Sequence, residues 1–190
     1  ELVRGKAAIA IGPGLGRDEA AAHWAAEALA CGVPAVVDAD ALFVAGDLLA
    51  TAAGPIVITP HPGEAARLLD TDVPAIEADR FAAARALAAK TRAIVVLKGA
   101  RTIICDGDFC AVNPTGGPSL GTGGSGDVLA GVIAALLAQR LVPVNAARTG
   151  VFVHGRAGDE LAKVHGTRGV VSSDLPEAIA RVIGEIPRPA

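Results

Sequence analysis

Gly121-Thr122-Gly123-Gly124-Ser125-Gly126-Asp127 runs directly into eleven residues, 128–138, that are all apolar or glycine. Four glycines in seven positions free the backbone for positive φ and for close approach to a ligand. The apolar run that follows predicts a buried helix, with Ser125 placed to cap its start. A glycine-rich turn entering a helix N-terminus aims backbone N–H groups, and the positive end of the helix dipole, at one spot suited to an anion such as phosphate. Asp127 places a carboxylate where an anion is already favoured. A first-turn acid stabilises any helix, but these glycines exceed what capping requires, and the pattern favours a group that must take a proton there. No Lys-Ser/Thr follows the glycines, so this is not a Walker A loop. The spacing also departs from the G-x-G-x-x-G dinucleotide fingerprint.

Outward from that stretch, 190 residues suit one domain with a core of useful size, and a hydrophobic content of 52% excludes a disordered chain. No apolar run approaches the ~20 residues needed to span a bilayer, and no signal peptide opens the sequence. A net charge of −3 with 3% aromatic residues offers neither the charge nor the stacking surface of a nucleic-acid binder. Three cysteines without C-x-x-C spacing argue against a disulfide framework or a zinc site. Cys105 and Cys110 flank the expected hairpin turn in diagonal positions. They are therefore expected to be reduced, in a cytoplasmic setting. The chain contains no Met and enters a strand soon after Glu1, which reads as part of a longer polypeptide.

Residues 6–11 read as a short central parallel strand, followed by Gly12-Pro13-Gly14-Leu15-Gly16 and a helix over about 18–31 closed by Gly32. These glycines make either a tight strand–helix turn or a ligand loop at a strand's C-terminal end. Strand 34–37 ends in Asp38-Ala39-Asp40, two acids that either assist magnesium or cap the next helix, capping being the favoured role for Asp40. Strand 55–59 leads into Pro60-His61-Pro62-Gly63-Glu64 and a helix over about 63–69, with Pro62 suited to its first turn. His61, fixed between two prolines, sits in an exposed turn. Residues 76–90 read as one amphipathic helix and 94–97 as a strand. Asp106-Gly107 predicts a two-residue hairpin joining 103–105 to 109–112. Helices over about 145–163 and 174–183 close the chain, with His154 and His165 as structural or surface residues. Alternating strands and helices followed by a hairpin imply an α/β sandwich around a mainly parallel sheet.

Five stretches, in order, resemble the ADP/ATP-dependent NAD(P)H-hydrate dehydratases of the ribokinase-like superfamily: Gly12-Pro13-Gly14-Leu15-Gly16, Val37-Asp38-Ala39-Asp40, Thr59-Pro60-His61-Pro62-Gly63-Glu64, Leu97-Lys98-Gly99-Ala100-Arg101-Thr102 and Gly123-Gly124-Ser125-Gly126-Asp127. The resemblance implies a ribokinase-like three-layer sandwich with a hairpin at one edge of its sheet. It also implies repair of hydrated NADH or NADPH: ADP or ATP, with Mg2+, phosphorylates the ring hydroxyl, and phosphate is then eliminated. By resemblance, Asp127 is the general base and contacts the hydrated cofactor together with Gly14 or Gly16 and His61. Lys98, Gly99, Ala100, Arg101 and Thr102 cradle the adenine nucleotide, and the amides of Gly123, Gly124, Ser125 and Gly126 stabilise the phosphoryl group in flight. Glu64 stands where related vitamin kinases carry an acid serving magnesium, while the asparagine typical of the preceding motif position is His61 here. A homo-oligomer is implied, as is a further N-terminal strand and helix before residue 1. The rival expectations are a ribokinase-like vitamin-precursor kinase and a truncated domain that binds nucleotide without catalysis.

Overall fold

The structure, a computed structural model, describes residues 3–186. Its six strands are β1 (Ile9–Ile11), β2 (Ala35–Val37), β3 (Ile56–Ile58), β4 (Ile94–Leu97), β5 (Ile103–Cys105) and β6 (Cys110–Val112). They form one sheet in the order β1-β2-β3-β4-β5-β6, parallel through β4 and antiparallel from β4 to β6. The helices are α1 (Glu19–Ala30), α2 (Ala39–Ala45), α3 (Pro62–Leu68), α4 (Val73–Ala78), α5 (Arg80–Thr91), α6 (Ser125–Ala138), α7 (Pro143–His165) and α8 (Leu175–Glu185).

Strand alternation sorts the core into two layers. Val37, Ile58, Val95 and Leu97 pack with Leu29 of α1, Leu42 of α2, Ile76 of α4 and Leu87 of α5. Their neighbours Val36, Val57 and Val96 face the other way, onto Leu129, Ile133 and Leu137 of α6 and Val151 of α7. Beyond α7, its Val153 and Ala157 pack on Leu175, Ile179 and Val182 of α8. This is the expected three-layer α/β sandwich, with the hairpin at one edge. No described helix is long and apolar enough to cross a membrane.

Five local expectations are corrected. The first strand lies at the sheet edge, not its centre, and is only partly buried; a short apolar run reads alike in both places. The single helix over 76–90 is two helices. Asp79 takes an extended conformation (φ −146°, ψ 86°), and its carboxylate accepts from the Ala82 amide to begin α5 afresh. The hairpin turn lies one residue later than predicted. Asp106 and Phe109 close it, with the Asp106 amide donating to the Phe109 carbonyl across Gly107-Asp108, and Gly107 takes φ +104°. A one-residue shift of the turn changes the pairing register. Cys105 therefore stands directly opposite Cys110, and the two are joined in a disulfide instead of being reduced. Finally, Ser125 is the first helical residue of α6 and not its cap. Gly124 holds the cap position at φ +83°, and the Ser125 hydroxyl donates to the Leu120 carbonyl at 2.6 Å.

Candidate active site

The C-terminal ends of the parallel strands and the N-terminus of α6 meet at one corner. Asp38 follows β2 and is 1% exposed; Lys98 follows β4, and its ammonium lies 2.8 Å from Asp38 Oδ1. The same ammonium lies 3.8 Å from Glu64 Oε2 in the first turn of α3. A Cβ added to Gly126 would stand 3.4 Å from Lys98 Nζ and 3.7 Å from Asp38 Oδ2. The Asp38–Lys98 pair therefore sits against the first turn of α6. Among the described residues, no acceptor takes the amides of Gly123, Gly124, Gly126 or Asp127. The Ser125 amide, expected to act with them, instead donates to the Thr122 carbonyl at 3.3 Å. Three free glycine amides, a helix N-terminus and an ammonium held by a buried acid give this corner donors suited to an anion.

Asp127 lies in the first turn of α6, exposed, and its carboxylate has no ion pair or hydrogen bond among the described residues. It does not belong to the wall of the adjoining cavity, which Ser125 and Gly126 help to form. That cavity measures about 590 Å³, within the range of small-molecule sites. Lys98, Gly99, Ala100, Arg101 and Thr102, all predicted to cradle nucleotide, line one side of it.

Sequence reasoning missed what holds that segment. Arg80, at the start of α5, donates to the carbonyls of Leu97, Lys98 and Ala100. The planar guanidinium thereby fixes three carbonyls of the 97–100 stretch with one side chain. The opposite wall is loop 113–120, stitched to α7. The buried Asn113 amide donates to the Thr115 carbonyl at 2.8 Å, and the Thr115 hydroxyl donates to the Phe152 carbonyl at 3.0 Å. The approach is so close that a Cβ on Gly155 would collide with Thr115.

The residues expected to meet the second substrate follow β1 and β3, on either side of β2. His61 begins α3, with Nδ1 accepting from the amides of Gly63 (3.0 Å) and Glu64 (3.3 Å). The Glu64 carboxylate returns to accept from the His61 amide at 2.7 Å, completing a reciprocal cap. Nδ1 as an acceptor leaves the ring proton on Nε2, which lies 3.4 Å from Glu64 Oε1. Gly14 and Gly16 take φ +66° and +85°, with no atom within 4 Å of an added Cβ, so they face open space. Asp40 does not cap α2. Its carboxylate accepts from the Gly16 amide at 3.1 Å and from Arg17 Nε at 2.7 Å, tying this glycine loop down. The bond from Arg17, then that from Gly16, holds its carboxyl below the usual carboxylate range.

Asp38 and Glu64 are the acids with the best claim to a metal, yet Lys98 already faces both. Among the described residues, no three His, Cys, Asp or Glu side chains gather into a metal site. The described residues build no cage of their own for magnesium. An ion of that kind fits here only as a complex with nucleotide phosphates.

Comparison with known proteins decides the kinship. The profile of the NAD(P)H-hydrate dehydratase family matches residues 2–181. The chain belongs to that family. The bifunctional NAD(P)H-hydrate repair enzyme of Moorella thermoacetica is 48% identical over 181 residues, covering 92% of this chain and 34% of its own length. This dehydratase-family chain thus spans about a third of that relative. The ADP-dependent (S)-NAD(P)H-hydrate dehydratase of Xanthomonas campestris is 38% identical, covering 99% of this chain and 68% of its own. Among solved structures, the ADP/ATP-dependent NAD(P)H-hydrate dehydratase of Bacillus subtilis, co-crystallised with ATP/Mg2+ and soaked with CoA, superposes with a TM-score of 0.84. It is 34% identical, covering 94% of this chain and 66% of that one. Hydroxyethylthiazole kinase of Pyrococcus horikoshii shares the fold, with a TM-score of 0.80 at 20% identity. The dehydratase-family chain therefore has the ribokinase-like architecture, and its kinship favours the dehydratases over the vitamin kinases.

Proposed function

We propose that this chain carries the ADP- or ATP-dependent dehydration of (S)-hydrated NADH and NADPH. One observation carries the reading: the unpaired amide of Gly126 stands beside Lys98 in a cavity walled by residues 98–102, with the unpaired amides of Gly123 and Gly124 in the turn just before it. The adenine nucleotide lies along that wall, its terminal phosphoryl against the amides, with magnesium arriving on its phosphates. The hydrated nicotinamide ring enters from the side of Gly14, Gly16 and His61. Asp127 takes the proton of the ring hydroxyl, and that oxygen attacks the terminal phosphorus. The new O–P bond forms as the phosphoanhydride bond breaks, releasing AMP from ADP or ADP from ATP. Phosphate then departs with the electron pair of the C–O bond. A proton is lost from the adjacent carbon, and the ring double bond returns.

Incubating hydrated NADH with ADP and following the return of dihydronicotinamide absorbance tests the proposal. Return of the absorbance supports it. Phosphorylation of a thiazole or pyrimidine alcohol without that return would reassign the chain as a vitamin kinase. Nucleotide binding with no turnover would make it a binding domain alone. A cytoplasmic homo-oligomer completes the proposal, and light scattering on the purified chain reads the assembly directly.

A further inference from the structure

His154 is the one buried histidine among the described residues, at 6% exposure in the middle of α7, and the chemistry above does not use it. It lines the same cavity as Ser125 and Gly126. Its Nε2 lies 3.0 Å from the Ser125 carbonyl oxygen. A carbonyl only accepts, so Nε2 must carry the proton and donate it. Burial holds the ring neutral, pushing its pKa down to about 4, which fits a fixed single-proton tautomer at neutral pH.

The consequence lies on the far side of the peptide bond. The Ser125 C=O and the Gly126 N–H belong to one planar trans unit, in which the two groups point in opposite directions. Holding the oxygen therefore sets the direction of the Gly126 N–H, an amide with no acceptor among the described residues. Donation to the oxygen also polarises the unit, making that N–H a stronger donor. The support behind the ring is stiff. The residues flanking it in α7 are tied to loop 113–120 through the Thr115–Phe152 hydrogen bond and the contact of Gly155 with Thr115. Ser125 is held on its other side by its hydroxyl bond to Leu120.

We propose that His154 is a positioning residue, whose Nε2–H locks the Ser125–Gly126 peptide so that the Gly126 amide aims at the terminal phosphoryl group of the nucleotide. The identity of that ligand rests on the function proposed above; the lock itself does not. Glutamine at 154 restores a neutral N–H donor of similar reach, whereas alanine removes it. In His154→Ala we expect turnover of hydrated NADH to fall about tenfold to a hundredfold, as for a misaimed oxyanion donor. The Kd for ADP should stay within about threefold, because residues 98–102, the proposed nucleotide wall, are unchanged. The Gly126 amide resonance should shift in His154→Ala and return in His154→Gln, as should turnover.

Wild-type turnover by His154→Ala, or an unmoved Gly126 resonance, would overturn the proposal. So would a His154→Gln protein that melts like wild type but is as slow as the alanine variant. Should the alanine variant not fold, nitrogen NMR of the wild-type ring still decides: an Nε2–H tautomer supports the lock and an Nδ1–H tautomer ends it. A wild-type chain inactive on hydrated NADH would sink the proposed function. The tautomer and the Gly126 resonance would remain readable.

Discussion

Replacing Asp127 with asparagine keeps the size and exposed position of the side chain while removing the one acid in the first turn of α6. Turnover should drop by about 10²–10⁴-fold, the usual cost of losing a positioned base, with ADP affinity little changed. Steady-state kinetics beside calorimetry would separate the two effects. A second residue-scale prediction concerns His154 and pH. Its folded pKa of about 4 lies below the ordinary 6.5, so the unfolded chain takes up the proton first as pH falls. Its contribution to stability is therefore intact above about pH 6.5 and is lost as pH drops towards 4. The loss amounts to about 3 kcal/mol when complete. Denaturant midpoints between pH 7.5 and 4.5 should show this slope in wild type and lack it in His154→Gln. At this scale the sequence was readable where chemistry is local. The glycine turn opening α6 was read from its composition, and its glycine amides do stand without acceptors among the described residues. Asp40 was misread because its partner Arg17 is 23 residues away, and no pattern in residues 38–40 announces it.

Between elements, the cavity wall formed by residues 98–102 depends on α5, a helix that contributes nothing to the cavity lining. Arg80→Ala would free three carbonyls at once, and residues 98–102 should lose their fixed course. We expect ADP to bind about tenfold more weakly, in keeping with the loss of charge-assisted hydrogen bonds. Arg80→Lys should fail to rescue, since a single ammonium cannot span the fork. Titration calorimetry on both variants checks this. At the other edge of the sheet, alkylation of the denatured, unreduced chain should label Cys31 alone, and all three cysteines after reduction, read by intact mass. Most elements were legible from apolar runs bounded by glycine and proline. The helix break at Asp79 and the place of the hairpin turn were not. An aspartate inside an amphipathic pattern fits both a continuous helix and a fresh start. Likewise Asp106-Gly107 and Gly107-Asp108 are both acceptable turn centres; the choice between them falls to strand pairing across the sheet.

For the molecule as a whole, α6 is both the spine of one layer and the carrier of the phosphoryl corner, so its packing positions the site. Ile133 is fully buried between the sheet and α7, where a Cβ on Gly150 would strike it. Ile133→Ala should cost about 2–5 kcal/mol, the range for a large-to-small change in a packed core, read as a lower denaturant midpoint. The sequence alone determined the layer order, the mainly parallel sheet, the glycine turn into a buried helix and the acid beside it. These follow from hydrophobic spacing and from conformational freedom, which neighbours along the chain settle among themselves. Only the tertiary structure decided which groups those turns would face. Asp38 meets Lys98 across 60 residues, His154 reaches Ser125 across 29, and Cys105 finds Cys110 through a register fixed by the sheet. The first two join distant segments that only the packing of sheet and helices brings together, and the third depends on a register that the residues of the turn leave open.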